Sequence, residues 1–356
     1  MSIRVFKEMP MYDIWIDISN TPQVHVMRSL INALSGYTIY VTAFRRGEVA
    51  ELLESYGVKA TVFGQDKESS LHRSLTFAWR AIQLALYKAP KAKVLLSCEN
   101  AMPIIAAKIK SMRVVLILDN DLKFKSGRLV FQRIENFIKE MADYILVPEV
   151  TAPVFEKLLG KNLYTYPGFK EHIYIADYRP DPEFPSKIPF KEYVVIRPES
   201  LSSLYVQHTK SIVPELLRLF EREGINVVYL PRNEAERALA LNFKNVYIPS
   251  TPLNGLDLIY YSSATLTGSG TMAREAALLG VTAVSFFPGK TLLAVDKELV
   301  KQGKIFYSRN PEEIVEYVIT NWSKRREPSF REAVKVKMFV AKVVKNVIEE
   351  TKLRQD

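Results

Sequence analysis

One pattern constrains this chain more than any other: short apolar, β-branched runs alternate with longer helical stretches, and the alternation occurs twice. In the first half, YDIWIDIS (Tyr12–Ser19), YTIYVTAF (Tyr37–Phe44), KATVFG (Lys59–Gly64), KVLLSC (Lys93–Cys98), RVVLILD (Arg113–Asp119) and DYILVPE (Asp143–Glu149) read as strands. Between them, VMRSLINAL, GEVAELLESYG, MPIIAAKIK and RLVFQRIENFIKEMA space their apolar residues at helical period. Strands near-continuous in apolar residues are buried on both faces, and alternation with helices implies βαβ crossovers and parallel sheets.

The pattern then breaks. YPGFKEHIYIADYRPDPEFPSKIPF carries Pro167, Pro180, Pro182, Pro185 and Pro189 and no helical period, so it reads as an ordered linker or hinge. Beyond it the alternation restarts at YVVIRP and runs through INVVYLP, NVYIPS, ATLTGS and VTAVSFF, with helices at Ser211–Gly224, Leu253–Ser262 and Thr271–Gly280. At 356 residues the chain exceeds one core. The expected organisation is an α/β chain of two Rossmann-like, doubly wound parallel-sheet domains. They are an N-terminal, acceptor-side domain over 1–170 and a C-terminal domain over 191–325, with a Pro-rich linker over 171–190 and a C-terminal helix over 326–356. Ligands of such folds bind beyond the carboxyl ends of the strands, so a cleft between the domains is the expected site.

Composition removes several classes. A single Cys98 excludes a disulfide framework, and four scattered His residues give no metal-ligand spacing, so no metal site and no cofactor is expected. No stretch reaches the roughly 20 apolar residues needed to span a bilayer, and the first residues lack the apolar core of a signal peptide. A cytoplasmic protein, at most peripheral to a membrane, is the expectation. The net charge of +10 suits anionic partners, but Lys and Arg are spread along the chain without a nucleic-acid motif, so nucleic acid is not expected.

The strand ending ATLTGS runs into the helix TMAREAALLG through Gly268, Ser269, Gly270 and Thr271, and Gly280 closes that helix. Glycines let the backbone turn sharply, while Ser269 and Thr271 are placed to cap free helix amides. Those amides and the helix dipole make a seat for an anion. Glu275, one turn further in, is spaced to reach a hydroxylated group beside a bound phosphate, such as a ribose diol. A plain tight turn with a solvated Glu275 is the alternative.

GSGTMAREAALLGVTAV resembles the nucleotide-sugar loop of GT-B-type proteins, particularly UDP-N-acetylglucosamine 2-epimerases, in which a Ser-Gly-Gly turn and a later Glu hold the diphosphate and ribose. The resemblance implies that Ser269, Gly270 and Thr271 meet phosphate and Glu275 meets ribose of a nucleotide-diphosphate sugar, UDP-linked in those enzymes. DIWIDISNTPQVHV, the GFKEHIY linker and the VVIRPES strand end are similar to an uncharacterised, mostly archaeal GT-B-like family. His25 resembles the His of a Gly-rich loop in the N-acetylglucosaminyltransferase of peptidoglycan precursor synthesis, although the glycines of that loop are absent. The Glu-Ala-Gly and His-Arg-Arg-Glu-Asn stretches of the epimerases are also absent.

Further candidates sit at strand ends. Asn20 and Thr21 form the loop after the first strand, and His25 falls in the first turn of the helix that follows. Glu99 follows KVLLSC, and Asp119 and Asp121 follow the buried RVVLIL run, where a divalent ion remains an option for the Asp-Asn-Asp pattern. Asp17, within the first strand, reads as a structural hydrogen-bonding group. Arg197 is positioned to clamp a pyrophosphate. Arg232, His208, Gly289 and Lys290 have weaker claims.

Three functions fit. The first is metal-independent glycosyl transfer by in-line, inverting displacement, in which His25, Asp119 or Asp121 takes the acceptor proton, with Glu99 another acid or base. The second is 2-epimerisation of a nucleotide sugar. The third is non-catalytic nucleotide-sugar binding. The acceptor is unidentified. HRSLTFAWRAIQLALYKAPKAK places Leu75, Trp79, Ile82 and Leu86 at helical spacing, edged by Arg73, Arg80, Lys88, Lys91 and Lys93. Such a helix either packs on its own domain or lies on an anionic membrane, the second reading suiting a lipid-linked acceptor.

Overall fold

The computed structural model describes residues 11–65, 76, 79–125, 130–159, 163–199 and 210–353. Arg73, Leu75 and His208 lie outside these residues. The chain divides into two compact units. Unit 1 is Met1–Tyr174 with Val334–Asp356, and unit 2 is Ile175–Ala333.

Unit 1 is built on a seven-stranded sheet of β1 (Met11–Ile18), β2 (Ile39–Arg45), β3 (Thr61–Gln65), β4 (Lys91–Cys98), β5 (Arg113–Ile117), β6 (Tyr144–Pro148) and β7 (Leu163–Tyr166). Its order is β3-β2-β1-β4-β5-β6-β7 and every pairing is parallel. Ile14, Trp15, Ile16 and Ile18 of β1 are fully buried, as a central parallel strand covered on both faces requires. The helix Thr21–Ala33 starts at Asn20, whose side chain accepts from the Gln23 amide at 3.2 Å, with a proline in the first two helical positions. The C-terminal helix Phe330–Lys352 returns to this unit, where Tyr144 donates to Glu350 at 2.6 Å.

Asp17 is the polar centre of unit 1 and is completely buried. Its Oδ1 accepts from Thr42 Oγ1 (2.5 Å) and Arg80 Nη2 (2.7 Å), and its Oδ2 accepts from Arg80 Nη1 (2.8 Å) and Asn100 Nδ2 (2.8 Å). Trp15 Nε1 donates to the same Thr42 hydroxyl at 2.8 Å. The structural reading of Asp17 is therefore right. Arg80, read from the sequence as the edge of an exposed basic helix, is instead fully buried, with its guanidinium between the Phe44 and Phe63 rings. The reason is pairing: a buried carboxylate needs a buried cation, and Arg80 supplies a two-pronged one.

Unit 2 holds β8 (Val194–Arg197), β9 (Val227–Tyr229), β10 (Val246–Tyr247), β11 (Ala264–Thr267), β12 (Thr282–Ser285) and β13 (Ile305–Tyr307), in the order β10-β9-β8-β11-β12-β13, all parallel. Leu216, Leu217 and Phe220 of the amphipathic helix Val213–Arg222 join Val194, Ile196, Leu266 and Val284 in its core. The Pro-rich segment is ordered within this unit: Tyr178 donates to buried Asp257 at 2.7 Å, and Phe184 stacks on Tyr261. No helix among the described residues is long and apolar enough to cross a membrane.

Removing the carboxylate of Asp17 leaves Arg80 as an uncompensated buried charge. Asp17→Ala is expected to lose about 3–5 kcal/mol of unfolding free energy in urea denaturation followed by circular dichroism. An unchanged midpoint would contradict the pairing.

Candidate functional site

In an open parallel sheet the strand order reverses once, and the backbone parts there to leave a crevice at the carboxyl ends. In unit 2 the reversal falls between β8 and β11, whose ends Arg197 and Thr267 are register partners. The loops leaving these strands touch. The Gly268 amide donates to the Arg197 carbonyl at 3.0 Å, and a Cβ on Gly268 would meet Glu199 Cα at 2.5 Å. Glycine is therefore required by a backbone-to-backbone approach.

Glu199, which sequence reasoning passed over, anchors this crevice. Its buried carboxylate accepts from Ser211 Oγ (2.6 Å), the Ile212 amide (3.1 Å) and Arg309 Nη2 (3.3 Å). Arg232 Nη1 donates to the Pro198 carbonyl at 2.8 Å. The signal for Glu199 was its place two residues beyond the Arg197 strand end.

The helix Gly270–Leu278 begins at the mouth of the crevice. Ser269 holds the N-cap position with extended backbone, but its side chain makes no capping hydrogen bond. Thr271 does not face the amides as expected either: its hydroxyl accepts from Arg274 Nη2 at 3.4 Å. The short loop explains both, since Thr267 Oγ1 takes the Ser269 amide at 2.8 Å and fixes the turn from the strand side. Gly270 leaves room for the buried pair Arg274–Asp296 (2.6 Å), a pair the sequence gave no spacing to find. Glu275 is half-buried one turn inside. The helix closes in a Schellman motif, with Val281 N–H to Ala276 O at 2.9 Å and Gly280 N–H to Ala277 O at 3.3 Å, Gly280 at φ +75°. Gly289 packs against the Phe287 ring and Lys290 is exposed.

Unit 1 gathers a second cluster at the ends of β4, β5 and β7. Glu99, at φ +55°, accepts from the Asp119 amide (2.7 Å) and the Asn120 amide (3.1 Å) through Oε1, and its Oε2 lies 3.6 Å from Lys139 Nζ. Buried Asp119 accepts from Lys170 Nζ at 2.7 Å, and the amide of buried Asp121 donates to the Asp119 carbonyl. Burial works to raise the Glu99 carboxyl, but the charges of Lys139, Lys170 and Lys123 outweigh it and hold it at about 2. Burial opposes the Lys170 ammonium, yet Asp119 foremost among the facing anions raises it above the usual lysine range. Burial puts the Cys98 thiol at about 12, so it is inert as a nucleophile.

Lys170 comes from the Gly-Phe-Lys-Glu stretch, quoted from the sequence only as a family mark. Gly168, at φ +92°, lies against His172 Nδ1, which accepts from the Phe169 amide at 3.1 Å. This tight turn sends Lys170 back to β5. No group of three or more His, Cys, Asp or Glu side chains among the described residues is placed to hold a metal ion.

His25 is grouped with aromatic residues and not with these carboxylates. Its Nδ1 lies 3.1 Å from Tyr56 Oη, and its ring sits 5.5 Å from that of Tyr174. Burial first and Arg28 second lower it to about 4, so it is neutral at neutral pH. Asn20 caps its helix and Thr21 is the first helical residue. The crevice of unit 1 is bridged instead by Gln23, whose Nε2 donates to the Cys98 carbonyl at 2.6 Å and whose Oε1 accepts from the Ser19 amide at 2.7 Å.

A model of the family described as "Protein of unknown function (DUF354)" matches residues 12–349. An uncharacterized protein of Methanocaldococcus jannaschii is 29% identical over 327 residues, 88% of this chain and 92% of that protein. Among solved structures, the UDP-N-acetylglucosamine 2-epimerase of Rickettsia bellii has a TM-score of 0.69 at 14% identity, covering 96% of this chain and 98% of that one. The M. jannaschii UDP-GlcNAc 2-epimerase, solved with UDP-GlcNAc and UDP, has a TM-score of 0.68 at 14% identity, covering 92% and 99%. The glycotransferase of kitacinnamycin has a TM-score of 0.60 at 13% identity, covering 95% and 100%. Both units thus have the GT-B-like, Rossmann-type architecture expected.

The surroundings of His25 generate a pH test. Its pKa falls from 6.5 unfolded to about 4 folded, so the unfolded chain binds the extra proton first. The stability this neutral imidazole contributes is present above pH 6.5 and is lost as pH falls through about 4. The His25 ring signal in NMR is expected to titrate near pH 4, and His25→Gln should flatten the loss of stability between pH 6.5 and 4. A midpoint near 6.5 would contradict the half-buried setting beside Arg28.

Proposed function

The chain belongs to the DUF354 family, matched over residues 12–349, and within it we propose an enzyme of nucleotide-diphosphate sugars whose reaction is metal-independent glycosyl transfer. The observation that carries this reading is the β8–β11 reversal of unit 2. There a glycine-bound loop opens onto a nine-residue helix whose N-cap side chain leaves the first amides uncapped. Such an end attracts a diphosphate through its N–H groups and dipole. The solved structures of similar fold that hold UDP or UDP-GlcNAc support the same ligand class.

In this reading Ser269, Gly270 and Thr271 present the helix end to the diphosphate, Arg197 adds charge at the strand end, and Glu275 takes the ribose hydroxyls. Displacement at the anomeric carbon places the growing negative charge on the departing diphosphate, where a fixed dipole and a guanidinium lower the barrier without reorganising. A proton acceptor is also needed. In unit 1 the groups in proton-accepting form at neutral pH include ionised Glu99 and neutral His25, and we assign them that role. Asp119 is held by Lys170 and is assigned to keeping that cluster in place.

A 2-epimerase is the second reading, favoured by the several 2-epimerases among the structures of similar fold. The absent Glu-Ala-Gly and His-Arg-Arg-Glu-Asn stretches speak for transfer.

Calorimetric titration with a panel of nucleotides and nucleotide sugars tests the site. One uridine or related diphosphate is expected to bind at on the order of micromolar concentrations, in the range of ordinary enzyme substrates, and Glu275→Ala should weaken it by about tenfold or more. No binding by any nucleotide to folded protein sinks both readings. Where binding is found, inversion at C2 of the sugar seen by NMR, with no acceptor present, would identify the epimerase.

A further inference from the structure

We propose that unit 1 docks on an anionic lipid bilayer through the outward face of three adjacent helical segments. The inference stands apart from the nucleotide reading, because the exposed side chains it rests on are none of those assigned to binding or proton transfer, and it is tested without nucleotide. The helix Met102–Ile109 packs on the turn Leu84–Lys88 on one side and on the helix Val130–Glu140 on the other. Inward, Leu84, Ile104 and Ile138 join the core formed with Leu95, Val114 and Leu116 of the sheet. All three segments therefore cover the same sheet face and turn their other sides outward together.

Those outer sides are apolar. Leu86 is 72% exposed, Phe137 66%, Ile109 65% and Trp79 59%, with Ile82, Tyr87 and Ile134 also exposed. Scattered exposed leucines need no explanation, but large side chains repeated across neighbouring segments form a patch. The helix Val130–Glu140 makes the point most sharply. It buries Lys139 and Asn136 and exposes Ile134 and Phe137, the reverse of an ordinary surface helix. Lys139 turns inward to Glu135 at 2.7 Å and Glu99 at 3.6 Å, and on the outward side Ile134 and Phe137 stand beside the exposed Arg133 and Glu140.

Charge decides the occupant. From Trp79 to Arg113 the sequence holds Arg80, Lys88, Lys91, Lys93, Lys108, Lys110 and Arg113 against Glu99 alone. Arg80 is buried on Asp17, and Lys93, Lys108 and Arg113 are answered by Asp13 and Asp143. Among the described residues Lys88, Lys91 and Lys110 have no carboxylate partner: Lys91 is exposed, Lys110 donates to the Ala89 carbonyl at 2.8 Å, and Lys88 Nζ lies 5.6 Å from the ring of exposed Tyr87. A second copy docked through a two-fold axis would set these lysines against their own copies. An anionic bilayer answers it: apolar side chains enter the interface, Trp79 and Tyr87 sit at headgroup depth, and the lysines meet lipid phosphate.

The test is co-sedimentation of the full chain with vesicles of phosphatidylcholine alone and of phosphatidylcholine with phosphatidylglycerol, together with the tryptophan emission maximum, to which Trp15, Trp79 and Trp322 contribute. Association with the anionic vesicles only, weakened by added salt, is expected, with a blue shift that Trp79→Phe removes. Leu86→Ser with Phe137→Ser alters only exposed positions. It should keep the circular dichroism spectrum and weaken association by about tenfold or more, as lost apolar burial predicts. Three results would overturn the proposal: no association with either vesicle, association unchanged in the double variant, or a dimer in sedimentation velocity that Phe137→Ser dissociates while vesicles stay unbound.

Discussion

Unit 1 depends on a single buried carboxylate. Asp17 sits in the central strand β1 and joins β2 through Thr42, the segment after β3 through Arg80, and the loop after β4 through Asn100. Burying a charge is costly unless it is paired and fully hydrogen-bonded, and these partners meet that condition from three directions. The consequence reaches the surface: with Arg80 drawn inward, Trp79 and Ile82 are left facing out.

The two sheets share one construction and treat their strand-order reversals differently. In unit 1, Gln23 spans from the first helix to the end of β4, and Asn100 in the loop after β4 is tied to Asp17 of β1. In unit 2 the described contact across the reversal is made by backbone, the Gly268 amide donating to the Arg197 carbonyl at 3.0 Å. Gly268 lets the backbone press against Glu199, and the helix Gly270–Leu278 starts with its amides uncapped by Ser269. A parallel sheet exposes helix amino ends at one edge, and whether such an end takes a ligand depends on what already occupies it. That difference is why the anion seat is assigned to unit 2, while the ionised groups of unit 1 sit at β4, β5 and β7.

Much of this was legible beforehand. β1, β2, β4, β5 and β6 of unit 1, and β8, β9 and β11 of unit 2, coincide with long β-branched runs, because buried parallel strands leave that mark. Gly280 was readable as a helix terminator because a positive φ after a helix favours glycine. The strands β7 and β13 were not legible: Leu163–Tyr166 and Ile305–Tyr307 are edge strands whose segments LYTY and IFY lack the β-branched runs that mark the others. Among site residues, Glu99 and Asp119 were visible as acids just past strand ends, and the Gly268–Glu275 stretch as a turn into a helix. Lys170, Glu199 and the Arg274–Asp296 pair were not, since each acquires its meaning from a partner distant in sequence.

The sequence by itself determined the alternation of strand and helix, the doubling of that pattern, and the turn at Gly268 to Thr271. These follow from local period and from glycine's backbone freedom, which neighbours in the chain are enough to reveal. Only the tertiary structure decided which charges are buried and which apolar residues are not. Arg80 and Lys139 are inside because Asp17, Glu135 and Glu99 wait there, while Leu86 and Phe137 are outside because the faces beneath them are filled. Burial is set by packing between distant segments, and a cation on an amphipathic helix looks the same in sequence whether its carboxylate partner lies in the core or in water.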